Sequence, residues 1–176
     1  MVDKINEIRV NPKSFIPEIK SYIGSNERML KLITSGKVKI TSNNGMTNAD
    51  VIKSNIDAAK ELINELNNTK SLPKLTFNTK MYSVTKAHGQ FLDSIKTMQH
   101  QDKNGGLAND RMKGLGFTVV TENLVIDNGR VISALIVLLV DARIEGRGHR
   151  KNLLDSRVKF VSVSTNGTVW VQNFAN

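Results

Sequence analysis

The chain has 176 residues, 39% hydrophobic and 23% charged, which is enough to bury one core and too apolar for a disordered segment. It has no cysteine, so disulfides, thiolate metal sites and a thiol nucleophile are excluded. Lys+Arg number 25 against 16 Asp+Glu, a formal charge of +9 that allows attraction to nucleic acid, anionic lipid or acidic glycans and is equally what a lysine-rich solvated surface gives. Positive charge concentrates at Arg143, Arg147, Arg150, Lys151, Arg157 and Lys159, but no aromatic residue interleaves with that cluster before Phe160. A stacking platform for nucleic acid is therefore disfavoured. The longest apolar run, Val131 to Val140, is about half the roughly 20 residues that span a bilayer, so no transmembrane segment is expected. No hydrophobic stretch follows Met1, so no signal or lipid-anchor segment is expected in these residues.

In chain order, Asp3 to Val10 reads as a helix stopped by Asn11-Pro12. Phe15, Ile16, Ile19 and Ile23 keep a helical period to Gly24, and Ser25 or Asn26 can cap a further helix ending at Gly36. A polar stretch follows, with a turn at Asn43-Asn44-Gly45; Thr47 or Asn48 then begins a helix carrying Ile56, Ala59, Leu62 and Leu66. Asn78 caps a long helix with Met81, His88, Leu92 and Ile95 inward, and His100 to Asn109 is a polar loop. Asp110 to Leu115 reads as one or two helical turns, and Thr118 to Leu124 as a strand. Arg130 to Val140 suits a fully buried helix, with a strand as competitor. Gly146-Arg147-Gly148 reads as a loop and Leu153-Leu154 as part of a last short helix. Val158 to Ser164, the Asn166-Gly167 signal and Val169 to Phe174 form a hairpin. Helices first and a closing hairpin make an α+β pattern.

No phosphate loop, GxGxxG, HExxH or GxSxG is present, which disfavours nucleotide enzymes, zincins and α/β-hydrolases. The chemistry then rests on three histidines. His88 sits mid-helix between Ala87 and Gly89 and reads as structural; His100 and His149 lie where the backbone is irregular and side chains can converge.

Several segments, in order, resemble the CAP superfamily (cysteine-rich secretory proteins, antigen 5, pathogenesis-related 1) in its cysteine-free microbial form. Ile5-Asn6-Glu7-Ile8-Arg9 with Asn11-Pro12 is similar to the opening helix, and Pro73-Lys74-Leu75 followed by Ala87-His88 to the run that comes next. His100 to Gly105 with Asp110-Arg111 and Gly116 resembles the family's H-x-x-x-x-G and D-R segments, and Thr121-Glu122-Asn123-Leu124 its G-E-N-I/L, with Thr121 replacing the usual glycine. Leu139-Val140-Asp141, Arg147-Gly148-His149-Arg150-Lys151-Asn152-Leu153-Leu154 and Trp170-Val171-Gln172-Asn173-Phe174 complete the series. Residues 20 to 60 carry no family motif and read as a helical N-terminal elaboration of one domain spanning 1 to 176.

The resemblance implies a three-layer α-β-α sandwich with a small mixed or antiparallel sheet, the closing hairpin at its centre. It places His100, Glu122, Asp141 and His149 in one cleft, with Glu145 as competitor for the second acid. Two neutral imidazoles suit Zn²⁺ or another divalent cation, with Glu122 and Asp141 supporting them; two protein ligands would hold it weakly. The alternative is a hydrogen-bonded polar network that ties loops to the sheet. Loop residues Arg150 and Asn152 are expected to bond backbone. The implied protein is secreted or displayed on a cell surface and binds a ligand or a host protein or lipid. A metal-assisted, peptidase-like hydrolase is the alternative, and a basic nucleic-acid or glycan binder the second. No nucleophile stands beside a base, so turnover is not expected.

Overall fold

In a computed structural model describing residues 1–43, 45–127 and 129–176, Asn11 ends the first helix, α1 (Val2–Val10), as its asparagine-proline pair predicts. A single 3₁₀ turn at Pro12–Phe15 leads into α2 (Ile16–Thr34). Where a break at Gly24 was expected, α2 runs straight through. A mid-helix glycine costs about 1 kcal/mol, and burial of Ile19 and Ile33 against the core and the next helix outweighs it. The two-residue strands β1 (Ser42–Asn43) and β2 (Met46–Thr47) pair antiparallel; the turn expected between them includes Asn44, which lies outside the described residues. Thr47 caps α3 (Asn48–Asn68), its hydroxyl accepting from Asp50 N while the Asp50 carboxylate accepts from Thr47 N.

Leu75 leads into β3 (Thr76–Phe77), too short to show any periodicity in the sequence. Asn78 caps α4 (Thr79–Ile95), its Oδ1 accepting from the backbone of Lys80 and Met81. The short α5 (Ala108–Arg111) starts earlier than Asp110, because the Asp110 carboxylate reaches back to accept from Leu107 N. After β4 (Val120–Ile126), the apolar run folds as α6 (Val131–Val140). Ala134, Leu135, Leu138 and Leu139 are buried on one helical face, but Ile132 and Val137 are exposed, so the helix is amphipathic by position and not fully buried. Its successor α7 (Gly148–Leu153) takes in Gly148 and His149, where a loop was expected. The closing hairpin is β5 (Phe160–Thr165) and β6 (Val169–Ala175).

The four-stranded sheet has the order β3-β5-β6-β4, with β3 parallel to β5 and the other pairs antiparallel. The hairpin is thus central, as expected, and the two-residue β3 makes the sheet mixed. Strand alternation sends neighbouring residues to opposite layers. Leu124 and Val171 pack with Leu92 of α4, whereas Val125, Trp170 and Phe174 join the main core with α1, α2, α3 and α6. A smaller cluster of Met81, Met112 and Ala175 also lies on the α4 side. These are the three layers of an α-β-α sandwich. Val120–Ile126 is an edge strand, and it carries Glu122 to one face and Asn123 to the other.

Gly89 sets the approach of α4 to the sheet. A Cβ there would meet Ser164 Oγ and Val171 Cγ2 at 3.5 Å each, an ordinary contact. Gly89→Ala therefore fits and is expected to raise stability by up to about 1 kcal/mol through helix propensity. Gly89→Leu forces the helix off the strands and is expected to lose about 1–3 kcal/mol. Urea midpoints of the two variants moving in opposite directions would check this.

Candidate functional site

Glu122 sits at the middle of β4 with its side chain 3% exposed, and four neighbours converge on it. His100 Nδ1 lies 2.9 Å from Oε1, while Oε2 receives Asn173 Nδ2 at 3.0 Å and the Arg111 guanidinium. His88 Nε2 stands 3.7 Å from Oε1. Burial pushes the carboxyl's pKa up. The hydrogen bond from His100, the charge of Arg111 and the Asn173 amide together outweigh it and hold Glu122 below its usual range. Arg111 also donates through Nη1 to His100 O at 2.7 Å and Gly106 O at 2.9 Å. One guanidinium thus neutralises the acid and fixes the loop that presents His100.

His88 is buried, and burial lowers its pKa, leaving a neutral ring. Its Nε2 lies 3.2 Å from Gln99 O, a carbonyl that can only accept, so the ring carries its proton there. Nδ1 is then a bare acceptor, and it has no partner among the described residues. A cavity of about 610 Å³ adjoins this cluster, lined by Val84, His88, Phe91, Lys103 and Arg111.

The second pair forms between the end of α6 and the start of α7, which pack together on the main-core side of the sheet. Asp141 ends α6 in the left-handed region (φ 52°), and Arg143 and Arg147 are also left-handed, at φ 63° and 53°. Such turns cost non-glycine residues about 1–2 kcal/mol each, and here they fold the chain back so that α7 begins beside the end of α6. The Asp141 carboxylate accepts from His149 N at 2.9 Å and meets His149 Nδ1 at 2.7 Å. Glu145, the competing acid, instead lines a pocket of mixed charge with Glu61, Glu65, Arg143, Arg147 and Lys151. His149 also borders a smaller cavity of about 310 Å³ with Tyr22, Asn55, Val137, Leu138 and Ile144. Two of those walls, Tyr22 and Asn55, come from the residues without a family motif.

The structure thus builds two histidine–carboxylate pairs, His100 with Glu122 and His149 with Asp141. They are joined through β4: Asn152 Nδ2 donates to Glu122 O and to Asn123 Oδ1, and Asn123 Nδ2 donates to His149 O and Gln172 Oε1. Among the described residues no side-chain hydrogen bond runs directly from one pair to the other, and no group of three or more His, Asp or Glu forms a metal cluster. Both carboxylates are spent on Nδ1, and neither histidine Nε2 has a hydrogen bond among the described residues. An imidazole nitrogen with a carboxylate behind it is the type of donor that a borderline cation uses.

Sequence reasoning missed Arg111, Asn123, Gln172 and Asn173 as parts of the site. For Asn123, Gln172 and Asn173 the available signal was their position: polar side chains inside otherwise apolar strands are buried and must be paired. Behind Asn173, Thr85 Oγ1 donates to its Oδ1 at 2.9 Å and meets the Ser162 hydroxyl, extending the network under α4. Arg150 and Asn152 do bond backbone, Arg150 through Leu139 O, Val140 O and Ala58 O.

Comparison with known proteins bears on the fold and the family. No curated protein matches the chain. Among solved structures, an extracellular protein containing an SCP domain from Bacillus anthracis is 23% identical with a TM-score of 0.53, covering 72% of this chain and 38% of that one. The present chain thus spans well under half of that protein's length. An outer surface protein from Borrelia burgdorferi is 16% identical with a TM-score of 0.50, covering 78% of this chain and 97% of that one. Both share the fold. A sequence profile for CAP, described as the Cysteine-rich secretory protein family, matches residues 2–174. With that match running across nearly the whole chain and through every element around both histidine–carboxylate pairs, the protein belongs to the CAP family, as a member without cysteine.

Proposed function

We propose that the chain is a secreted or surface-exposed CAP-domain binding protein whose cleft along β4 holds a divalent cation between His100 and His149. One observation carries the reading: each imidazole turns Nδ1 to a buried carboxylate, while its Nε2 makes no hydrogen bond among the described residues. A carboxylate at Nδ1 fixes the tautomer and raises the basicity of the opposite nitrogen. A cation such as Zn²⁺ would polarise an oxygen of the bound ligand. Glu122 and Asp141 hold the rings, and Arg111 and Asn173 hold Glu122. The address rests on the family's description as secretory and on the extracellular and outer-surface descriptions of the two structural relatives.

Isothermal calorimetry with Zn²⁺ tests the reading. Saturable uptake is expected, lost in the His100→Ala, His149→Ala double variant and weakened about 10–100-fold by Glu122→Gln. It should also weaken on acidification, because a ligating imidazole must be unprotonated. Equal uptake by wild type and double variant would overturn the metal role. A metal-dependent hydrolysis of peptides abolished by Glu122→Gln would favour an enzyme instead.

A further inference from the structure

We infer that the tip of the α2–α3 helical pair is a docking surface for an anionic lipid bilayer. The tip carries two features at once. From Arg28 to Ala49 the sequence holds Arg28, Lys31, Lys37 and Lys39 and no Asp or Glu. The same stretch exposes four large apolar side chains: Met29 and Leu32 on the last turns of α2, Ile40 in the connection, and Met46 on β2. Ile40 is 57% exposed, among the most exposed large hydrophobics of the described residues.

Hydrogen bonds gather these residues at one end. Lys37 N and Val38 N both donate to Leu32 O, which folds the chain back onto the end of α2. Asn48 Nδ2 donates to Lys39 O, and Asn48 N to Thr41 O, which fastens the same segment to the start of α3. The nearest acids leave the charge unopposed. Asp50 is engaged in the α3 cap with Thr47, and Glu27 stands one residue outside the stretch.

Four cations interleaved with four exposed, flexible aliphatic or thioether side chains match the boundary of a bilayer. The lysine and arginine heads meet anionic headgroups while their stems and the apolar side chains enter the acyl margin. A soluble polyanion would use the cations and leave the apolar side chains in water, so the apolar set decides between the two. This surface lies apart from both histidine–carboxylate pairs and does not depend on metal binding.

Vesicle co-sedimentation tests it with the intact chain. Mixed phosphatidylglycerol and phosphatidylcholine vesicles are expected to bind the protein in a salt-sensitive manner, and pure phosphatidylcholine vesicles much less. A basic residue near an anionic surface is worth roughly fivefold in partitioning, so Lys37→Glu with Lys39→Glu should lower binding more than about twentyfold. Leu32→Ser with Ile40→Ser should lower it about tenfold at unchanged charge. All four positions are exposed, and unchanged circular dichroism would show that the fold is kept. Lys80→Glu with Lys86→Glu, on α4 across the sheet, should retain most of the binding. Three results would overturn the inference: no binding to anionic vesicles at low salt, an equal loss in the α4 pair, or wild-type binding by the apolar variant with full competition by a soluble polyanion such as heparin.

Discussion

Arg150→Ala is expected to lower stability by about 3–5 kcal/mol, from two buried carbonyls left unpaired and the lost packing of a fully buried side chain. The side chain is 1% exposed and donates to three main-chain carbonyls: Leu139 and Val140 at the end of α6, and Ala58 in α3. Its Nη1 also meets Glu61 at 2.7 Å and Glu65 at 2.8 Å. Truncation leaves the Leu139 and Val140 carbonyls, beyond the last α6 hydrogen bond, without donors, each costing about 1–3 kcal/mol where water cannot reach, and it removes the contact with Ala58 that ties α3 to the α6–α7 turn. The glutamates are about half exposed, so their share of the loss is small. Arg150→Lys should recover only part of it, because one ammonium cannot reproduce the planar fork that spans two helices. Urea denaturation provides the measurement. A loss below about 1 kcal/mol for Arg150→Ala would show that the carbonyls find water.

Glu122→Ala should cost a similar amount, about 3–5 kcal/mol, because it strands the nearly buried Arg111 guanidinium and removes the acceptor for Asn173. Glu122→Gln keeps the shape and should cost about 1.5–3 kcal/mol, the worth of hydrogen bonds to a charged group. The two also differ from wild type in pH dependence. The folded Glu122 pKa lies below its ordinary value of 4.5, so its contribution is fully present above that value. It disappears as pH falls through the depressed folded value, where the folded carboxylate is forced to take a proton. Wild type should therefore lose stability below about pH 4.5 more steeply than Glu122→Gln. Parallel acid limbs for the two proteins would contradict the pairing.

The sequence made the layer order legible because its strongest patterns are long. The Val158 to Phe174 hairpin and the Ala59, Leu62 and Leu66 face bury large areas, and no local preference competes with them. Short or overridden features were not legible. Gly24 reads as a stop, yet packing of Ile19 and Ile33 carries α2 through it; β3 has only two residues and no period to detect. At the site, ordered motifs singled out His100, Glu122, Asp141 and His149, but spacing cannot say which acid meets which ring. That depends on the left-handed turn at Asp141 and Arg143, and on Asp141 lying where α7 begins. Arg111 was invisible as a partner because its role exists only once α5 packs beside β4.

Ring nitrogen-15 shifts of His100 and His149, recorded at about pH 8 on the metal-free protein, read the tautomers that the whole site depends on. Both rings should carry the proton on Nδ1, facing Glu122 and Asp141, with Nε2 bare; Glu122→Gln should disturb His100 while His149 stays unchanged. Rings protonated mainly on Nε2 would contradict the account, because the nitrogens assigned to a cation would then be donors.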